Sequence, residues 1–167
     1  ENGVLVIAAS FTDEGAPGIK PMTGTAEATL RNSKLFFDNA SDLSGFTSMN
    51  YNGKRILLVP RQKGSFAAGI VDMTGISAVS IGAGWQKPPL TGYSVELRLD
   101  SPEGTLLGKG TIKGDPVSKP GMNISGANFP IQKVNDGKYH QIYIVTAPIS
   151  QDETNPVGIQ FLKFTAK

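Results

Sequence analysis

The chain has a single histidine, His140, and no cysteine. A multi-histidine metal centre, a zinc–thiolate site, a disulfide and a Cys–His nucleophilic pair are therefore excluded. His140 lies in the run Tyr139-His140-Gln141-Ile142-Tyr143-Ile144 and shares one side of an alternating pattern with Ile142 and Ile144, which marks it as structural. No G-x-S-x-G elbow occurs, and Gly82-Ala83-Gly84 and Gly108-Lys109-Gly110 lack the third glycine of a dinucleotide loop. Nothing matches a phosphate-binding P-loop. Glycoside cleavage needs two carboxylates facing each other across a cleft; Glu96, Asp100 and Glu103 instead follow one another along a strand and its turn. What remains is a set of flat aromatic, amide and guanidinium groups: Trp85, the only tryptophan, with Arg61, Asn123, Asn128 and Asn155. Such groups recognise ligands rather than turn them over, provided the fold brings them together.

The elements that must position them are short strands. Tyr93 to Lys113 is the clearest stretch: Val95, Leu97 and Leu99 alternate with Ser94, Glu96, Arg98 and Asp100, and Ser101-Pro102-Glu103-Gly104 turns the chain into a second strand at Thr105–Ile112. A lone hairpin is marginal in water, so its oily face requires further strands and a second layer. The chain supplies them at Val4–Phe11, Thr25–Arg31, Lys34–Phe37, Arg55–Val59, Ser65–Val71, Ile76–Ile81, Phe129–Val134, Tyr139–Thr146 and Val157–Phe164. Val4–Phe11 is apolar throughout, the mark of a strand buried on both faces. Asp38–Gly53 and Lys113–Asn128 read as polar loops. No segment keeps a helical period, and no repeat is visible. This spacing predicts an all-β, antiparallel β-sandwich of the jelly-roll kind, with a closed barrel as the other arrangement.

Strands joined in order place successive connections at alternating ends. The tight turns at 72–75, 101–104 and 135–138 are then expected at one end. Residues 61–64 and the long loops 82–92, 113–128 and 147–156 are expected at the other, where Trp85, Arg61, Asn123, Asn128 and Asn155 would gather. Binding surfaces commonly sit on long loops held by a rigid scaffold; tolerated loop length is the alternative explanation.

With 167 residues the chain suits one domain, and at 39% hydrophobic and 18% charged it is too apolar to remain disordered. A net charge of +2 from 16 basic and 14 acidic residues leaves no basis for nucleic-acid binding. No apolar run reaches the roughly 20 residues of a membrane helix. The sequence begins at Glu1 without a methionine, as a mature or excised piece of a longer protein would.

The phrases GSFAAGIVDMTGISAVSI, VELRLDSPEGTLLGKGTI, DGKYHQIYIV and VGIQFLKF together resemble a galactose-binding-like jelly roll, specifically the family 6 carbohydrate-binding modules. The resemblance spans Thr25–Lys167 as the module, with residues 1–24 as a strand and loop leading into it. It implies a non-catalytic domain that binds a polysaccharide or oligosaccharide at the loop end and tethers a neighbouring catalytic domain of a secreted, cell-surface or periplasmic bacterial enzyme. The isolated module would be a monomer with no membrane or nucleic-acid partner. The implied sugar site is Trp85 as an aromatic platform, Asn155 near the family's sugar-binding asparagine, and Arg61, Gln86 and Asn128 as hydroxyl partners. No cofactor is certain, but many such modules hold a structural calcium; Asp38, Asp42 and Asp152, with Glu153, are the candidate oxygen ligands. In the closing strand, Gln160 stands where the family carries an aspartate. The alternative is a structural appendage that packs on a neighbouring domain and binds no sugar.

Overall fold

The computed structural model describes residues 4–114 and 121–166. Its contacts divide the chain into two compact units, Glu1–Asn32 and Ser33–Lys167. The first is a β-ribbon of β1 (Val4–Thr12) and β2 (Thr23–Arg31), antiparallel from Val4 opposite Arg31 to Thr12 opposite Thr23. The Asp13 carboxylate closes its connection by accepting the backbone N–H of Gly15 at 3.0 Å and of Met22 at 2.9 Å. Thr25–Arg31, which the sequence pattern assigns to the sandwich, thus pairs with β1. The apolar run of β1 predicts burial on both faces, yet Leu5, Ile7 and Phe11 are exposed. A two-stranded ribbon taken by itself has no second layer to cover them.

The second unit is the sandwich. Its strands are β3 (Lys34–Phe36), β4 (Ser41–Ser44), β5 (Thr47–Tyr51), β6 (Lys54–Leu58), β7 (Gly64–Asp72), β8 (Ile76–Trp85), β9 (Tyr93–Leu99), β10 (Leu106–Ile112), β11 (Gly121–Pro130), β12 (Tyr139–Pro148) and β13 (Gly158–Ala166). One sheet has the order β10-β9-β12-β7-β4; the other runs β11-β8-β13-β6-β5, with β3 also paired to β13. Every strand pairing is antiparallel. The core between the sheets is built by alternation: Val79, Ile81, Ala83 and Trp85 of β8 meet Val95 and Leu97 of β9 and Ile142 and Ile144 of β12. The architecture expected from the strand pattern is the one found.

Three connections differ from expectation. Asp38–Gly53 contains β4 and β5 rather than a loop. Asn52 and Gly53 both have positive φ, 51° and 74°, the geometry of a tight hairpin turn, and Asn-Gly between strands is its strongest sequence signal. Gly82-Ala83-Gly84-Trp85 continues β8 instead of opening a loop, because it pairs with β11 on one side and β13 on the other; the Phe161 ring lies over Gly82, where any side chain would collide. Of the expected loop 113–128, residues 115–120 lie outside the described residues, and Gly121 onward is strand, pairing with β8 from Gly121 opposite Trp85 to Pro130 opposite Ala78. Strand pairing overrides the weak intrinsic preference of its glycines and asparagines. The strand expected at Phe129–Val134 accordingly ends at Pro130.

Candidate functional site

The expected division of the two ends is visible in the hydrogen bonds. At the tight-turn end His140 bridges Asp100 (Nδ1 to Oδ2, 2.9 Å) and Asp136 (Nε2 to Oδ2, 3.0 Å), joining the two turns. Hydrogen bonds to the Asp100 carboxylate, then to that of Asp136, raise the His140 pKa above its ordinary value. Both ring nitrogens are therefore committed, in keeping with a structural histidine.

At the opposite end Glu153 holds the loops together. Its side chain is buried, 2% exposed, on the connection between β12 and β13. Oε2 accepts the backbone N–H groups of Thr91 at 2.8 Å and Gly92 at 2.9 Å and the Thr91 hydroxyl at 3.2 Å; Oε1 accepts Asn155 N–H at 3.1 Å. Burial pushes this carboxyl up, but the N–H donors of Gly92, Thr91, Asn155 and Leu90 outweigh it and hold the pKa below the ordinary value. Asn155 Nδ2 donates to Pro88 O at 2.7 Å, and Arg61 Nη2 donates to Thr154 O at 3.3 Å. The Tyr93 hydroxyl donates to Asn155 O at 3.3 Å; its pKa is raised, above all by burial and then by the Glu153 carboxylate, with Arg61 opposing.

This bracing shapes a groove of about 510 Å³ where the outer face of the β11-β8-β13-β6-β5 sheet meets the loops. Gly84 and Gly158, directly opposite in register, line it without side chains. A Cβ on Gly158 would approach Ile56 Cγ2 to 2.6 Å, so the close fit there depends on glycine. On the strand side stand Ile56 and Leu58 of β6 and Met49 and Tyr51 of β5. They share a face because Leu57, between them, points into the core while Ile56, though buried, is not part of it. Tyr51 is 48% exposed and Met49 45%, so an aromatic ring and a thioether are open to a ligand. On the loop side stand Trp85, Gln86, Lys87, Asn155 and Pro156.

Of the residues singled out in the sequence, Trp85, Gln86 and Asn155 meet at this groove, and Arg61 is tied to the same loops through Thr154. Trp85 needs a correction: it is 6% exposed and part of the core, since it falls on the inward side of β8, so its ring offers no open platform. Asn128 is also corrected. It lies mid-strand opposite Ser80, five residues along β8 from Trp85, which at about 3.3 Å per residue is roughly 16 Å away. Asn123 pairs with Ala83. The aromatic group that is open is Tyr51, overlooked because its hairpin reads as polar loop; the Asn52-Gly53 pair was the available signal.

The proposed calcium ligands do not converge. Asp38 accepts Arg55 N–H at 3.3 Å, Asp42 accepts the Tyr143 hydroxyl at 2.9 Å, and Asp152 pairs locally with Ser150 at 3.3 Å. Glu153 is saturated by the backbone donors. Among the described residues no group of three or more His, Cys, Asp or Glu side chains is placed to hold a metal ion, so these residues do not fit the implied site.

A half-exposed phenol ring over an apolar floor, edged by amides, suits a ligand with one apolar face and hydroxyls around its rim. Solved structures share the fold. A family 6 carbohydrate-binding module from Clostridium cellulolyticum in complex with xylose superposes with a TM-score of 0.64 at 19% identity, over 80% of this chain and 97% of that one. The fold is that of a family 6 carbohydrate-binding module. A second family 6-like match, the β-1,3-glucan-binding module from Bacillus halodurans, gives a TM-score of 0.62 at 14% identity over 81% of this chain and 96% of that one. The same fold also matches part of a family 43 arabinoxylan arabinofuranohydrolase from Bacillus subtilis, in complex with cellotetraose: TM-score 0.62, 12% identity, 84% of this chain but 29% of that enzyme. No protein-family model and no curated protein matches the sequence.

Proposed function

We propose that this chain is a non-catalytic carbohydrate-binding module that holds a glycan in the groove over Gly84 and Gly158, and that it serves as an accessory domain of a larger secreted bacterial enzyme. The observation that carries this reading is Tyr51: a 48%-exposed ring on the rim of an apolar groove with Gln86 and Asn155 at its other edge. The apolar C–H face of a sugar ring would cover the phenol while its hydroxyls reach the amides. The shared fold with modules solved in complex with xylose and the presence of that fold inside an arabinoxylan-cleaving enzyme support the same reading.

The test is Tyr51→Ala, measured by calorimetric titration with xylo-oligosaccharides and cello-oligosaccharides. A Tyr offers about 200 Å² on burial, and a bound sugar covers about a quarter of it, so at about 25 cal/mol per Å² the substitution removes roughly 1.3 kcal/mol, about tenfold in affinity. Because Tyr51 is half exposed, the melting temperature is expected to change little. Unchanged affinity in the folded variant would place any sugar site elsewhere.

A further inference from the structure

The sheet that carries the groove has an unusual charge distribution. Its strands read KLF, TSMNY, KRILL, ISAVSIGAGW, GMNISGANFP and GIQFLKFTA, and none contains an acidic residue. They contain the bases Lys34, Lys54, Arg55 and Lys163. The facing sheet carries Asp42, Asp72 and Glu96, and there Glu96 pairs with Arg98 at 2.8 Å and with Lys109 at 3.4 Å. A chain of 16 basic and 14 acidic residues is thus nearly neutral as a whole but strongly one-sided across its two layers.

The lysines are also placed on the groove's own face. Lys54 sits opposite Tyr51 in register and holds its Nζ 4.7 Å from the centre of the Phe36 ring, packing rather than ion pairing. Lys34 lies 4.7 Å over the Phe161 ring, and Lys163 is its register partner. Among the described residues Lys87 is the sole charged one lining the groove; it is exposed and forms no ion pair with any of them. Asp38, just outside these strands, accepts the Arg55 N–H of β6 at 3.3 Å.

We infer that the glycan this groove takes is an anionic one, a polysaccharide carrying carboxylates such as a polyuronate, with its sugar ring on Tyr51 and its acid groups on Lys87 and Lys54. The inference rests on the sugar-binding reading and deepens it. A neutral glycan uses the apolar floor and amides alone; a polyanion adds charge-assisted contacts on a sheet whose strands carry no acid.

The test uses the full chain in calorimetric titration with polygalacturonate oligomers and with unsubstituted β-1,4-xylan oligomers of equal length. Polygalacturonate is expected to bind about tenfold tighter and to weaken as ionic strength rises from about 0.01 M to about 0.15 M, while xylan binding stays flat. Lys87→Gln and Lys54→Gln are each expected to weaken polygalacturonate about threefold, and by more than either weakens xylan. Xylan bound as tightly as polygalacturonate overturns the anionic specificity and leaves the groove assignment standing. Loss of neither ligand in the two lysine variants, or equal binding of a DNA duplex or anionic vesicles, also overturns it. If neither oligomer binds, the sugar-binding reading itself falls.

Discussion

Replacing Glu153 by glutamine tests whether one buried carboxylate holds the groove's loop side in shape. The two oxygens accept four hydrogen bonds between 2.8 and 3.2 Å, from Thr91 N–H and hydroxyl, Gly92 N–H and Asn155 N–H. A glutamine keeps one acceptor oxygen. Turned toward Thr91 and Gly92, its amide nitrogen faces the Asn155 N–H, setting donor against donor. The surviving bonds lose their charge, about 1 kcal/mol each, and the stranded donor costs about 1–3 kcal/mol; because such terms are not additive, about 3 kcal/mol in total is expected. For a chain of this size that lowers the melting temperature by about 6–12 °C. The pH dependence has a definite sign. Glu153 has a lowered pKa in the folded state, so its contribution is complete above the unfolded value of about 4.3 and disappears as pH falls through the lower folded value. Thermal melts of wild type and Glu153→Gln should therefore run parallel at neutral pH and converge in acid. A variant that melts within about 2 °C of wild type at neutral pH would refute the clamp. Because Asn155 and Lys87 sit on the clamped loops, glycan affinity should fall in the same variant.

The His140 bridge makes the opposite pH prediction. Its folded pKa is raised by Asp100 and Asp136, so its stabilisation is complete below the unfolded value of about 6.5 and is lost as pH rises through the folded value. Wild type should exceed His140→Gln in melting temperature by more at pH ~6 than at pH ~9, and a constant gap would show that the imidazolium contributes nothing. Gly53→Ala should cost about 1–2 kcal/mol, since φ is 74° there, and should weaken sugar binding by loosening the hairpin that presents Tyr51; full affinity would mean the hairpin's position is irrelevant.

Much of this was legible in local pattern. The alternation of Val95, Leu97 and Leu99 specified a strand with one buried face, and Ile142 and Ile144 did the same for the strand that carries His140. Chain order alone put the tight turns and the long loops at opposite ends, because successive antiparallel strands must reverse direction. The composition removed whole classes of chemistry before any strand was placed, since a chemistry cannot run without its functional groups.

Tertiary structure decided which way each candidate faces. Trp85 reads as a ligand platform because it is the only tryptophan and stands in a loop expected at the binding end, but register places it on the same side of β8 as Ile81 and Ala83, and so inside. Tyr51 is ordinary in sequence and becomes the open ring because β5 pairs with β6 around Asn52-Gly53. Glu153 looks like a solvated loop acid, yet backbone donors from a loop some sixty residues earlier surround it. The acid-free sheet is written in the sequence letter by letter, but as six separate segments; only their pairing makes it one charged face. A side chain's type is local information, whereas its direction and neighbours depend on contacts distant in the chain, and the binding groove is made of those.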